Sequence, residues 1–349
     1  MGFDILPGPH PILPVRRNNR YFNSSTDKPK PFLWHTLRML IYTFTQQAAR
    51  FSHADLTPFQ HPVEAPQGTS LYPRITWIGH ASFLVEFEGV TFLTDPIFGN
   101  ASPLFPRIQP PGLTPERLPT IDAVLISHNH RDHLDTRSLL YLRDRFQPYL
   151  LVPKGDGKWF KSRGFAHVEE CTWWQKITFT RNGKEATCVF LPTYHWSQRG
   201  LLDRNRSLWG SWLMQAEAGQ VYFGGDTAYA EHFSMINAIY PSIDVALLPI
   251  GPCEPHEWIR HAHMSAEEAG QAFIELGATC LIPMHWGTFR FGTDKPSAPA
   301  ERLLTWWRQN HDITQYLELR MPPFGMPVSL DQQYPASKPY SDTLSLNQQ

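Results

Sequence analysis

Long apolar runs, charge of one sign and paired cysteines are all scarce in this chain, and each scarcity argues against a class of protein. The best candidate for a membrane span, "PFLWHTLRMLIYTFTQQAAR", places Leu33, Leu37, Leu40, Ile41 and Phe44 at helical spacing, but His35 and Arg38 interrupt it. It reads instead as an amphipathic helix, packed on the body of the protein or resting on a membrane surface. The opening "MGFDILPGPHPILPVRRNNR" lacks a basic start followed by a long apolar core, and Leu6 stands where a myristoylation motif needs Ser or Thr. Cys171, Cys188, Cys253 and Cys280 form no C-x-x-C pair, which argues against a disulfide framework or zinc knuckle and points to a reducing, cytoplasmic setting. Lys plus Arg number 31 against 32 Asp plus Glu, so no general attraction draws a polyanion and nucleic acid is not an expected partner.

What is present suffices for a substantial core: 349 residues, 42% of them hydrophobic. Residues 1–73 read as an N-terminal extension ending in a Pro-rich stretch, 74–325 as the main domain and 326–349 as a loosely ordered tail. Within the main domain, "ASFLVEFEGVTFLTDP", "KITFTRNGKEATCVFLP" and "SLWGSWLMQAEAGQVYFGGDT" read as hairpins, the second turning at Asn182-Gly183. Single strands are expected in "IDAVLIS", "VALLPIG" and "TCLIPMHWG". Helices are expected after Asp135, over Tyr229 to Tyr240, from a Ser265-x-x-Glu268 capping box to Leu276, and over Ala298 to Gln309. Hairpins in both halves with helices between them predict two packed sheets covered by helices.

The chemistry gathers first in "VLISHNHRDHLD", where His128, His130, Asp132 and His133 follow an apolar strand. Imidazole and carboxylate bind divalent zinc, iron or manganese at neutral pH, and residues two apart on a strand point to one side. Three further strand ends carry ligand-type residues: His195 after "CVFLPTY", Asp226 after "VYFGG" and His285 after "CLIPM". Alone, each has an ordinary alternative, a loop histidine or a helix-capping aspartate. Together the seven exceed what one tetrahedral zinc needs and suit two metals.

With these residues the sequence resembles the metallo-β-lactamase fold superfamily, whose H-x-H-x-D-H motif stands here as His128, His130, Asp132 and His133. The resemblance covers about Arg74 to Gly292 and implies an α/β (α+β) fold, an αββα four-layer sandwich with a dinuclear site at one edge. It implies that His128, His130 and His195 hold one divalent ion, Asp132, His133 and His285 a second, with Asp226 bridging. Zinc is the expected metal, with iron or manganese as alternatives. Finer features, "TWIGHASFLVE", "TDPIFG", "LPTYHWSQRGLLDRNRSLWGSW", "FGGDTAY", "HMSAEEA", "PMHWGTF" and the upstream "RYFN", resemble the N-acylphosphatidylethanolamine-hydrolysing phospholipase D branch. Thr193-Tyr194 and Gln175 depart from that branch's pattern and leave the metal ligands untouched.

The resemblance implies hydrolysis of a phospholipid diester, peripheral membrane contact and a homodimer. Asp132 is expected to orient water and handle its proton, and Asp95 to hydrogen-bond a ligand histidine, the alternative for Asp95 being a turn residue before Pro96. His80, His263, Trp196 and Arg199 are expected at the substrate, although His80 and His263 also suit structural hydrogen bonding. Trp209 and Trp212 are candidates for an acyl groove or for the core. A lactone or ester hydrolase and a nuclease of the same fold are the enzymatic rivals. A flavin-partnered diiron oxidoreductase usually replaces one ligand histidine by an acid, and a non-catalytic binding protein usually loses ligands; neither change is seen.

Overall fold

The computed structural model describes residues 11–24 and 73–329 except Glu88 and Asn182. The expected amphipathic helix over residues 33–44 lies outside the described residues, as does most of the Pro-rich stretch. Two short strands open the chain, Val15–Arg17 (β1) and Arg20–Phe22 (β2). Next come Arg74–Gly79 (β3), Ser82–Phe87 (β4), Val90–Thr94 (β5), Ala123–Leu125 (β6), Tyr149–Pro153 (β7) and Val168–Cys171 (β8). The second half contributes Lys176–Arg181 (β9), Lys184–Leu191 (β10), Ser211–Ala216 (β11), Gly219–Phe223 (β12), Val245–Pro249 (β13), Cys280–Met284 (β14), Glu318–Leu319 (β15) and Pro327–Ser329 (β16).

β1 and β2 pair as a two-stranded hairpin, and the other fourteen strands form two seven-stranded sheets, ordered β16-β3-β4-β5-β6-β7-β8 and β15-β14-β13-β12-β11-β10-β9. Each sheet is mixed: β5 through β8 and β12 through β15 pair in parallel, and the remaining neighbours are antiparallel. Strands buried on both faces need continuous apolar runs rather than alternation, and "VALLP" and "CLIPM" are buried throughout. Helices Thr136–Phe146 (α1), Gly157–Lys161 (α2), His232–Ile239 (α3), His256–Ile259 (α4), Ala266–Leu276 (α5), Ala298–Gln309 (α6) and His311–Thr314 (α7) flank the sheets. The Ser265–Glu268 capping box is formed in both directions and Gly277 closes α5 at φ 69°. Asp135 starts α1 by accepting from Ser138 N.

The tail boundary needs correction. Residues 327–329 pair with β3, Val328 opposite Ile75, because an apolar edge on β3 is left for them to cover. Trp209 and Trp212 are core, not groove. Trp212 is fully buried, packs 4.6 Å from the Phe190 ring and donates its indole N–H to Ile126 O at 3.0 Å. Trp212→Ala is therefore expected to cost about 3–5 kcal/mol, with Trp212→Phe retaining most of that. Urea melts of the two variants check this.

Candidate metal centre

Every strand end named for its chemistry opens on the same edge, because β5, β6, β10, β12 and β14 all deliver their C-terminal ends there. Some of the backbone strain lies at this edge. His80, Asp95 and His285 have φ of 53°, 32° and 65°, a region non-glycine residues avoid, and hydrogen bonds hold them there. His80 N donates to Thr288 Oγ1 at 2.7 Å, and His80 O accepts from His285 N at 3.1 Å and Trp77 Nε1 at 3.0 Å.

Four histidines are oriented from behind. His195 Nδ1 donates to Ala262 O and His285 Nδ1 to Gly251 O, both at 2.8 Å, which leaves each Nε2 lone pair directed inward. His133 Nδ1 lies 2.7 Å from Asp95 Oδ2, and Asp95 Oδ1 also accepts from Ser127 N. Ser127 Oγ is 2.9 Å from His128 Nδ1. Such outer partners set tautomer and ring direction for metal ligands.

The potential ligand atoms fall into adjoining clusters in which all lie within 4.8 Å of one another: His128, His130, His195 and Asp226 in one, His80, Asp132, His133 and His285 in the other. Asp226 joins them, with Oδ1 3.0 Å from His285 Nε2 and Oδ2 3.3 Å from His133 Nε2, 3.7 Å from His195 Nε2 and 3.8 Å from His128 Nε2. Asp132 Oδ2 is 2.9 Å from His80 Nε2 and 3.3 Å from His133 Nε2.

Burial, reinforced by neighbouring histidines, pushes His80 and His195 down to about 3 and His128 well below its usual range. His130 is pushed down to about 4 and His263 to about 3, again chiefly by burial. Burial would lower His133 too, but Asp226 and Asp132 hold it well above the ordinary value. Burial would raise Asp132 and Asp226, but His133 leads the groups that hold both well below the usual carboxylate range. Asp132 and Asp226 thus face His133 from within a buried, carboxylate-bearing cluster, a setting that suits divalent cations. His130 Nε2 and His263 Nδ1 are buried with no hydrogen-bond partner. Orphaned donor atoms and an N/O ligand set both fit a pair of divalent ions.

The expected substrate residues separate. His263 lines the centre, its Nδ1 3.8 Å from Asp226 Oδ2 and its ring 5.2 Å from that of His195. Trp196 lies over His130 at 4.1 Å between ring centroids, and Arg204 stacks on Trp196 at 4.5 Å. His80 is deeper than expected, 1% exposed and engaged by Asp132. Arg199 needs correction: its guanidinium donates to Leu134 O and Thr136 Oγ1, both at 2.7 Å, and lies over Trp159. It braces the chain just beyond His133 through those carbonyl and hydroxyl acceptors.

Two sets of residues escaped the sequence reading. Asn23, the last residue of "RYFN", accepts from His195 N at 3.2 Å and Trp209 Nε1 at 3.0 Å and donates to His195 O at 3.1 Å. Phe289 and Phe291 pack 5.0 and 5.6 Å from the His80 ring, and Phe105 lies 5.1 Å from Phe291. The aromatic pair in "TFRF", which begins three residues after His285, was the available signal.

A beta-lactamase superfamily domain model matches residues 91–286. The chain belongs to the metallo-β-lactamase superfamily. Among superfamily relatives, an N-acyl-phosphatidylethanolamine-hydrolyzing phospholipase D of Caenorhabditis elegans is 36% identical over 231 residues, 62% of this chain and 65% of that protein. An uncharacterized protein of Mycobacterium tuberculosis is 35% identical over 278 residues, 77% of this chain and 73% of its own length. The solved metallo hydrolase of Ignicoccus hospitalis shares the fold at a TM-score of 0.57 and 21% identity, over 75% of this chain and 99% of that one. With its buried His/Asp clusters, this superfamily member is a metal-dependent hydrolase.

Proposed function

We propose that the chain is a phosphodiesterase of phospholipase D type acting on N-acylphosphatidylethanolamine-like lipids, releasing an N-acylethanolamine and a phosphatidic acid. The observation that carries this reading is the pair of ligand clusters joined through Asp226, bordered by Trp196 on one side and by Phe105, Phe289 and Phe291 on the other. The nematode relative's stated activity and the run after His195 support the lipid assignment. When bound, two divalent ions supply Lewis acidity at phosphoryl oxygens and bring the pKa of a held water toward about 7.

In this reading water's oxygen forms a bond to phosphorus, the headgroup-side P–O bond breaks, and the leaving alkoxide takes up the proton that Asp132 has removed from the water. Asp132, held ionised and with its side chain 16% exposed, accepts the water's proton, steadied by His80. His263, neutral and with an unpartnered Nδ1, faces the same space from the opposite side and hydrogen-bonds the substrate. A panel of N-acylphosphatidylethanolamine, bis-p-nitrophenyl phosphate, RNA and lactones tests the assignment on metal-loaded protein. Lipid and model diester turnover is expected; lactone turnover without diester turnover sinks it, and preferred RNA cleavage makes the chain a nuclease.

Among the described residues no helix is long and apolar enough to cross a membrane. The surface that supports lipid access in this reading is the loop after His195, where Leu201 and Leu202 are 91% and 80% exposed beside exposed Arg206, with Arg16 and Arg17 exposed on the neighbouring hairpin. L201D/L202D is expected to weaken co-sedimentation with anionic vesicles at least about tenfold, since each leucine is worth about 1.5–3 kcal/mol on burial. Unchanged co-sedimentation would remove this loop from the lipid contact.

A further inference from the structure

Asp156 directly precedes α2, where a carboxylate ordinarily accepts the amides of the first helical turn. Here its side chain makes no capping bond, and Glu170 Oε1 takes that task, accepting from Gly155 N at 2.7 Å and Gly157 N at 3.0 Å. The Asp156 carboxylate turns inward instead. It is 5% exposed, and Oδ1 accepts from Asn129 Nδ2 at 2.9 Å and from Ser207 Oγ at 2.7 Å. Asn129, 3% exposed, stands between His128 and His130. Ser207 O accepts from Ser197 Oγ, and Ser197 is two residues beyond His195. One carboxylate therefore ties together the two segments that carry His128, His130 and His195.

This arrangement is costly as well as specific. Asp156 Oδ2 has no hydrogen-bond partner, and burial pushes the carboxyl up to about 7 against the opposing bonds from Ser207 and Asn129. A buried acid held by neutral donors is a poor means of stabilising a fold, and such groups gather around functional sites.

We propose that Asp156 is a positioning residue for the first ligand cluster, acting through Asn129 and Ser207 to set His128 and His130 against His195. The inference rests on the dinuclear reading of the centre and is independent of the lipid substrate. Partners that orient ligands from behind typically contribute 10–100-fold in metal affinity. A purely structural role for Asp156 would lower the melting temperature of the metal-free protein and leave ion affinity alone.

The test uses the full chain, stripped of metal and titrated with zinc against a chromogenic chelator, as wild type, D156A, D156N, N129A and D156A/N129A. D156A is expected to bind at least one of the two ions about 10–100-fold more weakly, and its cobalt-loaded form to show shifted visible bands. D156N, whose amide oxygen can accept both bonds, is expected to stay within about threefold of wild type. The double variant is expected to be no worse than D156A, because the two residues act in series. If D156A does not fold, N129A carries the same expectation. D156A and N129A that bind both ions like a two-ion wild type overturn this inference alone, as does an additive double variant. A wild type that takes up no ion overturns the dinuclear reading and this inference with it.

Discussion

Asp226→Ala is expected to abolish turnover and to weaken binding of both metal ions, more severely than any other single substitution at the centre. Its carboxylate lies within 3.8 Å of histidines from both clusters, reaching His285 and His133 on one side and His195 and His128 on the other. Removing it also removes one of the two charges that hold His133 protonated in the metal-free protein. Loss of an outer partner typically costs 10–100-fold in metal affinity, and loss of a shared ligand should exceed that. Asp226→Asn retains the shape without the charge and should fall nearly as far. Metal content after dialysis, together with diester turnover, checks both variants; an Asp226→Ala protein that retains two ions and comparable turnover removes Asp226 from the bridging position.

The metal-free protein should lose stability steeply as pH falls from about 6.5 toward 4. His80, His195, His232 and His263 are pushed down to about 3 and His130 to about 4, in each case first by burial. Their unfolded counterparts titrate at 6.5. Below 6.5 the unfolded chain therefore binds more protons than the folded one, and folding is penalised as protons are added. Each such group acting alone forfeits about 2 kcal/mol between pH 6.5 and 5. Rings in one cluster do not act alone, so the sum is smaller than five times that. Two independent groups already remove about 4 kcal/mol from a total that is usually 5–15 kcal/mol. Two kinds of group act differently. The raised value of His133 gives stability that is complete below 6.5 and is lost only as pH rises through its folded value, so it adds no slope in the acid window. Asp156, pushed up to about 7 by burial, takes up its proton before its unfolded counterpart and returns about 2 kcal/mol between pH 6.5 and 5. Asp95, Glu86 and Asp294, also raised by burial, act in the same direction. Urea melts of chelator-treated protein at pH 7, 6, 5 and 4 measure this, and a flat profile contradicts the neutral, buried state of these rings.

Much of the centre was legible because metal chemistry is encoded in residue type and short spacing. Histidine at 128, 130 and 133 with Asp132 after an apolar strand needs no tertiary knowledge to be recognised as a ligand group. Helices were legible where local chemistry defines their ends, as at Asp135 and at the Ser265–Glu268 box. Short elements lacking such signals were not read: β7, β8 and α2 depend on neighbours for their hydrogen bonds, and β16 is a strand because β3 offers it an edge. Arg199 illustrates the same limit at the site. Its place in the run after His195, through the family resemblance, suggested a substrate contact, yet Leu134 O and Thr136 Oγ1, more than sixty residues away in sequence, hold the guanidinium.

By itself the sequence determined which residues are candidate ligands and which strand ends bear them, since these follow from side-chain chemistry and periodicity within a few residues, and the superfamily was legible through the resemblance of its motifs to that family. Only the tertiary structure decided how the ligands are grouped, that Asp226 joins the two clusters, that His80 belongs inside rather than at the mouth, and that Asn23 and Asp156 hold ligand segments in place. Those facts depend on contacts between residues far apart in the chain, and no local pattern encodes a distance that long-range packing sets.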